Sequence, residues 1–526
     1  MRVITLVFVT ALSAFGTRLS AQARQVSLED AIKLADRSSE SVEIARAAVR
    51  RANGQQLVAR SQSLPQLNGS LSYGRALASQ FKGLSFGGGP DTATFRSVCA
   101  PSIDSTATLA QRQAALDQSR TCKSGGGGPD FQSVGFGAEN SWTLGLQFSQ
   151  NLFTGGRVSG QRMAANAGRR AADVELTAQR AQLILDVTQA YYNAVLAARL
   201  SDVAAASLGW NEDVLKQTTK AREVGSSSEF DLLRAQVARD NYVPVVLQRR
   251  SDRQVAMLRL KQMLELPLDD SLSLTTDIDV PPAASLASVT GLSVAAPDTS
   301  ADARATVREA AENVKAQQGL KRAASAENLP TIAITSGYQR LWFPKSTLPQ
   351  FDNFRENWTV GFSAGVNLFS GGRVRGGQFV ADANLREAEA RLKQAREFAA
   401  LDSRIALSQL QQAEATWRAS QGTAEQARKA YSIDEIRYRE GISTQTDLTQ
   451  SRLLVEQAMV NRAVAARDLA VARMRLTLLK DLPLSGAGAS AGSMTSGAGA
   501  TSAPVAPSQQ PRTTGASAGS SSGSNQ

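Results

Sequence analysis

Two stretches of this chain alternate apolar and polar residues with period two, and they are versions of one another. Residues 142–158 read WTLGLQFSQNLFTGGRV and residues 358–374 read WTVGFSAGVNLFSGGRV, offset by 216 with no gap. In the second copy Trp358, Val360, Phe362, Ala364, Val366 and Leu368 share one face, and Thr359, Gly361, Ser363, Gly365 and Asn367 share the other. In the first copy Trp142, Leu144, Leu146 and Phe148 oppose Thr143, Gly145, Gln147 and Ser149. This alternation predicts a strand with one apolar face. The recurrence predicts a duplicated unit. Each copy ends in a glycine pair, Gly155-Gly156 and Gly371-Gly372. Glycine permits a backbone bend that other residues resist, and a long helical pattern starts directly after each pair.

The same plan is read along the rest of the chain. Ser27 to Gln62 predicts a helix, opened by a Ser27-x-x-Asp30 capping signature and stopped near Pro65. A strand follows over about 66–75. Residues 81–137 form a long polar, glycine-rich insertion holding Cys99 and Cys122. Insertions of this length are functional or disordered as a rule. A second strand is expected over about 141–153, then a helical hairpin over 157–266. Leu176, Leu183, Ala190 and Ala197 repeat every seven residues, as do Leu392, Ala399, Ala406 and Ala413 in the second copy. Such heptads with small residues predict lengthwise helix packing of coiled-coil type. The hairpin turns at Gly225, and its counterpart turns at Gly441, again 216 residues on. Ser228-x-x-Asp231 and Thr444-x-x-Asp447 then restart the helices as capping boxes. The expected layout is a removable segment at 1–23, a first unit at 24–266, a connector at 267–303, a second unit at 304–482, and a disordered Ser/Gly/Ala tail at 483–526. The second unit holds a helix at 304–328, strands at about 331–342 and 357–369, and a hairpin at 373–480. Ala324, Leu329, Pro330 and Tyr338 in it echo Ala59, Leu64, Pro65 and Tyr73.

Composition narrows the chemistry. Arg2, an apolar run from Val3 to Phe15 and Ala21-Gln22-Ala23 predict a signal peptide cleaved after Ala23. That run is too short to span a bilayer, and no other run approaches the required length. Cys99 and Cys122 are the candidate disulfide pair of an exported chain. Histidine is absent, which removes Ser-His-Asp and Cys-His nucleophiles and histidine metal sites. No catalytic, cofactor or metal constellation is expected, and an exported enzyme is disfavoured. The formal charge of +11 is spread along helices as Arg among Glu, Gln and Ala, which predicts solvated helix faces and no nucleic-acid partner.

Four amphipathic strands cannot close a barrel, for which about eight is the practical minimum. Open strand edges are not tolerated in hydrocarbon. Copies of the chain must therefore combine, with the helices running away from the lipid. Trp142, Trp358 and Leu341-Trp342-Phe343 sit at strand ends, where interfacial aromatics belong. The fold class expected is mixed α+β, with four transmembrane strands per chain and long helical hairpins. A purely structural coiled-coil envelope protein is the other class, but it has no use for four such strands.

The paired NLF-x-GGRV segments, the Leu-Pro before strands one and three, and the duplicated plan resemble TolC-type outer-membrane efflux proteins over roughly residues 26–482. The resemblance implies a homotrimer with a shared twelve-stranded barrel in outer-membrane lipid and a periplasmic α-helical tunnel. It also implies docking of a periplasmic adaptor and an inner-membrane pump at the hairpin tips, Gly225 and Gly441. The cargo implied is small toxic molecules; a duct for secreted polypeptides is the alternative. At the tunnel's inner end Asp447 falls on the family's first acidic constriction position and Gln450 on the second. Tyr438 falls on the latch tyrosine, Asp231 on its partner, and Ser443 where the latch arginine usually stands. The resemblance thus implies a single carboxylate ring and a gate easier to open than the family norm.

Overall fold

The computed structural model describes residues 24–78, 103–121, 138–278, 299–344 and 354–484. The expected cleavage site, Cys99, Cys122 and the tail from 485 lie outside these residues.

The first half runs β1 (Arg24–Val26), α1 (Leu28–Ser38), α2 (Glu40–Ser61), β2 (Gln66–Arg75), α3 (Leu109–Thr121), β3 (Asn140–Phe153), α4 (Arg157–Glu223), α5 (Glu229–Met263) and β4 (Leu272–Leu274). The second half runs α6 (Ala305–Ser325), β5 (Thr331–Trp342), β6 (Arg355–Gly365), α7 (Arg373–Arg439) and α8 (Gln445–Leu478). The helix–strand–strand–long helix–helix order appears twice. The two long helices α4 and α7 have 67 residues each, about 100 Å at 1.5 Å per residue.

The four long strands make one antiparallel sheet in the order β2-β3-β5-β6. Directly paired residues share a face, so the register shows how the alternation adds up. Tyr73 pairs with Trp142, Leu71 with Leu144, Leu146 with Tyr338, Tyr338 with Trp358, and Ile334 with Phe362. All fall on one side. Asn68, Gln147, Gly337 and Thr359 line the other side in the same registers. The apolar side is open: Trp358 is 73% exposed and Phe362 74%. The links β2–β3 and β5–β6 lie at one end of the sheet, and all four helix attachments lie at the other. Helices therefore leave the sheet in one direction only.

Glycines make that departure possible. Gly155 and Gly156 have φ of 62° and 95°, and Gly371 and Gly372 have 57° and 87°. This is left-handed backbone that a Cβ disfavours. Gly156 and Gly372 sit at the N-cap positions of α4 and α7.

Below the sheet α4 packs against α2, α5, α6 and α8, while α7 packs against α6 and α8. In the second half the heptad seam is buried at Ala399, Ala406 and Ala413. In the first, Leu183 and Ala190 are only partly buried, and the fully packed stripe is Ala181, Ile184, Thr188 and Tyr191. Helix α4 is enclosed on more sides than two-helix heptad reasoning supposes. Midway along it, β1 and β4 form a parallel pair. The buried Tyr191 hydroxyl donates to the Val26 carbonyl at 3.0 Å and accepts from Thr276 N–H at 3.1 Å. A buried ionic clamp joins three helices. Arg304, at the N-cap of α6 and 0% exposed, meets Asp402 of α7 at 2.7 Å, and Asp402 also holds Arg475 of α8 at 2.9 Å.

Several expected boundaries differ. The helix expected over 27–62 divides at Ser39, whose extended backbone (ψ 121°) ends α1 so that Leu28, Ala31, Ile32 and Ala35 can enter the core. Residues 272–274 of the expected connector form β4, because β1 offers them an edge. The 81–137 insertion carries helix α3. The strand expected over 357–369 stops at Gly365, since β5 begins opposite it, at Thr331.

Asp402→Ala leaves the buried Arg304 uncompensated and should cost about 3–5 kcal/mol, read as earlier loss of helical circular dichroism on heating. The pair Arg304→Met/Asp402→Leu should lose less. Glu309, on α6, has its carboxyl pushed up from 4.5 to about 7, by burial first and by nearby Glu175 second. Between those values the folded state binds more protons than the unfolded state, so stability should fall as pH rises from about 4.5 to 7 and stay low above. Glu309→Gln should flatten that part of the melting-temperature profile; an unchanged slope would remove Glu309 as its source.

Candidate channel gate

The far ends of the two hairpins carry the residues singled out for a gate. Each turn is built the same way. After α4, Gly225 takes φ 82°, and after α7, Gly441 takes φ 72°. Ser226 N–H closes on Ala221 O at 2.8 Å, and Ile442 N–H closes on Arg437 O at 2.8 Å. These are the 6→1 bonds of a Schellman-type stop. Three residues past each glycine comes an N-cap. Ser228 Oγ donates to Asp231 Oδ2 at 2.6 Å and accepts from Asp231 N–H at 3.1 Å. Thr444 Oγ1 donates to Asp447 Oδ2 at 2.7 Å and accepts from Asp447 N–H at 3.2 Å. Both capping boxes are complete.

These bonds set the charge. The Ser228 hydroxyl, then its backbone N–H, holds the Asp231 carboxyl below its ordinary range. The Thr444 hydroxyl and backbone do the same for Asp447. The Asp447 side chain stands in solvent, as does Gln450, and Asp231 is half-buried. Tyr438 is half-buried on the last turn of α7, and its carbonyl accepts from Gly441 N–H at 3.1 Å. Within one chain the Asp231 carboxylate is engaged by Ser228, and no hydrogen bond joins it to Tyr438, so the expected latch pairing is not made there.

The links between hairpins come from residues the sequence reading did not single out. At the tips Arg234 of α5 donates to Thr446 Oγ1 of α8 at 2.8 Å. Farther from the tips Glu456 of α8 accepts from two helices: from the Tyr242 hydroxyl of α5 in a short hydrogen bond, and from Ser207 Oγ of α4 at 2.9 Å. The Tyr242 hydroxyl is pushed up to about 12, by burial first and then by the Glu456 carboxylate. Pro244 lies inside α5, two residues on. Nothing in the spacing of Ser207, Tyr242 and Glu456 signals a cluster, because their separations in sequence follow no shared helix period. Among the described residues no cluster of His, Cys, Asp or Glu has the arrangement of a metal site.

The family model described as outer membrane efflux protein matches residues 31–265 and 296–480. A search of curated protein sequences returns no match. Among solved structures, the outer membrane channel CmeC of Campylobacter jejuni aligns at 17% identity over 87% of this chain and 86% of its own, with a TM-score of 0.62. The outer membrane protein VceC of Vibrio cholerae aligns at 16% identity over 86% of this chain and 95% of its own, with a TM-score of 0.62. The open state of the outer membrane channel MtrE of Neisseria gonorrhoeae aligns at 18% identity over 87% and 89%, with a TM-score of 0.63. At such identities the likeness is one of fold.

The three-helix clasp at Glu456 has a direct test. Tyr242→Phe removes a hydrogen bond to a charged acceptor and should cost about 1.5–3 kcal/mol, with earlier melting of the helices and faster proteolysis at the hairpin tips. Melting and proteolysis like the unaltered chain would mean the clasp carries no load.

Proposed function

This chain belongs to the outer membrane efflux protein family, and from that premise we propose that it is the passive outer-membrane conduit of a multi-protein efflux system. Three copies would share one twelve-stranded barrel in the lipid, with α4, α5, α7 and α8 of each copy forming a tunnel in the periplasm. A periplasmic adaptor would dock at the tips around Gly225 and Gly441, and an inner-membrane pump would load small toxic molecules. We read residues 24–266 and 304–482 as the two units of this design, 267–303 as their connector, and 1–23 as the export signal. The observation that carries the reading is the sheet. Its four strands turn an apolar face outward, keep a polar face behind it, and send every helix out of one end. Such a sheet suits a bilayer only as part of a closed barrel.

The same reading assigns the tips. Asp447 would form a ring of three carboxylates at the tunnel's inner end, with Gln450 one turn along, and Asp231 and Tyr438 would bear on closure. Like charges crowded at an axis repel and draw in cations. A carboxylate ring of this kind selects for and is blocked by cations.

The test has two parts. Detergent-purified protein should run as a three-chain particle and conduct ions in planar bilayers. Asp447→Ala, folded and assembled, should raise cation conductance and lessen block by divalent cations, while Asp231→Ala and Tyr438→Phe should open more readily. An assembled Asp447→Ala channel with the conductance and block of the unaltered one would reduce Asp447 to a helix cap.

A further inference from the structure

The two halves meet inside the chain at a junction between β3-α4 and β5-α6. By the duplicated order, β6-α7 is the counterpart of β3-α4, at an offset of 216 (358 − 142). Likewise α2-β2 is the counterpart of α6-β5, at an offset of 265 (330 − 65). The offsets hold within each half. Gln66 pairs with Ser149, and their counterparts Thr331 and Gly365 pair as well. Asn151 Nδ2 donates to the Gln62 carbonyl, and Asn367 Nδ2 donates to that of Glu327. The junction itself, however, occurs only once in the chain. Its second set of surfaces is present and unpartnered.

Two features of the internal junction are demanding enough to recognise elsewhere. The first is a backbone crossing. A Cβ on Gly160 of α4 would lie 2.5 Å from Gly319 O of α6, and one on Gly319 would lie 2.6 Å from Gly160 O. Just above, a Cβ on Gly155 would lie 2.6 Å from Leu329 Cβ. The counterparts are Gly376, Gly54, Gly371 and Leu64. Gly376, Gly54 and Gly371 have nothing within 4 Å of a built Cβ, and Leu64 is exposed. The chain thus has glycine at both positions of the crossing's second copy, where its own fold requires neither.

The second feature is strand length. In β3, residues 150–153 extend beyond β2 and pair as a strand with β5 alone, with Asn151 opposite Ala333 and Phe153 opposite Ile332. Their counterparts, residues 366–369, lie outside β6, with Leu368 92% and Phe369 91% exposed. What they lack is the neighbour that β3 has.

We propose that the contact between protomers repeats the junction inside the chain. Strand β6 pairs antiparallel with β2 of the next copy, Ser363 opposite Ser72 and Phe362 opposite Tyr73, and α7 crosses α2 of that copy at Gly376 and Gly54. The register is the internal one moved by the two offsets: Gln147 opposite Gly337 becomes Ser363 opposite Ser72. It sets Phe362 and Tyr73 on the apolar side together, and it continues β6 to Phe369 against Leu67. The proposal rests on the closed-barrel reading above and adds which residues close it.

The experiment uses the full chain with Cys99 and Cys122 replaced by serine. Ser72→Cys with Ser363→Cys, oxidised in isolated membranes, should give covalent oligomers on a non-reducing gel; Ser70→Cys with Ser363→Cys, two residues out of register, should give far fewer. Within one chain Ser72 and Ser363 lie on opposite edges, three strand spacings across and eight residues apart along the strands, roughly 30 Å in all, so an internal bridge does not compete. Separately, Gly376→Leu should leave a folded helical protomer and abolish assembly, while Gly422→Leu, equally open in the chain, should assemble normally. If the unaltered chain assembles but the Ser70 pair cross-links better, or Gly376→Leu assembles as well as Gly422→Leu, this junction is wrong and the barrel reading stands. An unaltered chain that remains single in detergent overturns both.

Discussion

Everything in this molecule follows from the rule that a backbone N–H or C=O in hydrocarbon must have a partner. A helix satisfies that rule by itself; a sheet does so only when it has no edge. Among the described residues no helix is long and apolar enough to cross a membrane; the broad exposed apolar face belongs to the four-stranded sheet. That sheet pairs internally through β3 and β5 and leaves β2 and β6 as edges. The design is half satisfied in one chain. Its apolar face and its open edges call for the same remedy, since closing a barrel removes the edges and turns the apolar face to lipid in one step.

The helical part obeys a different constraint. Helices of 67 residues are too long to be held by one compact core. They are held instead by a succession of local devices along their length. Close backbone contact at Gly160 and Gly319 sets the crossing next to the sheet. The buried Arg304–Asp402–Arg475 clamp and the Tyr191 bonds to Val26 and Thr276 act farther down. Beyond these the Glu456 clasp joins α4, α5 and α8. Small residues let the helices approach, and the polar devices fix their rotation and register.

What was legible in the sequence was whatever is periodic or repeated. Alternation showed the strands, heptads showed the long helices, and glycine followed by Ser/Thr-x-x-Asp showed the tips, because each is a local rule applied to contiguous residues. The pieces that escaped depend on partners far away in sequence. β1 and β4 are three residues each, too short to alternate, and exist because they meet across more than two hundred positions. The break at Ser39 serves the packing of α1 against Tyr191 and its neighbours, which no pattern within 27–62 records. Arg234, Tyr242 and Glu456 are ordinary helix residues until three helices bring them together. The 366–369 discrepancy is of another kind: alternation runs on to Leu368 because the residues are built for a strand, but a strand needs a neighbour, and one chain does not contain it.

The tips show how a helix cap leaves half of a carboxylate free for the channel role proposed for it. In each capping box the Ser or Thr hydroxyl and the backbone N–H converge on a single carboxylate oxygen, Oδ2 of Asp231 and of Asp447. The other oxygen is left to solvent and to whatever lies on the axis. The same bonds stabilise the ionised form and lower both acids, so capping keeps the charge in place even when the surroundings turn acidic. A carboxylate held this way is also oriented, because the cap fixes its rotamer against the first turn of the helix. With serine at 443 no cation from that position neutralises it. What ties the hairpins together within the chain is the Arg234–Thr446 link and the Glu456 clasp behind it, where helix packing can support them.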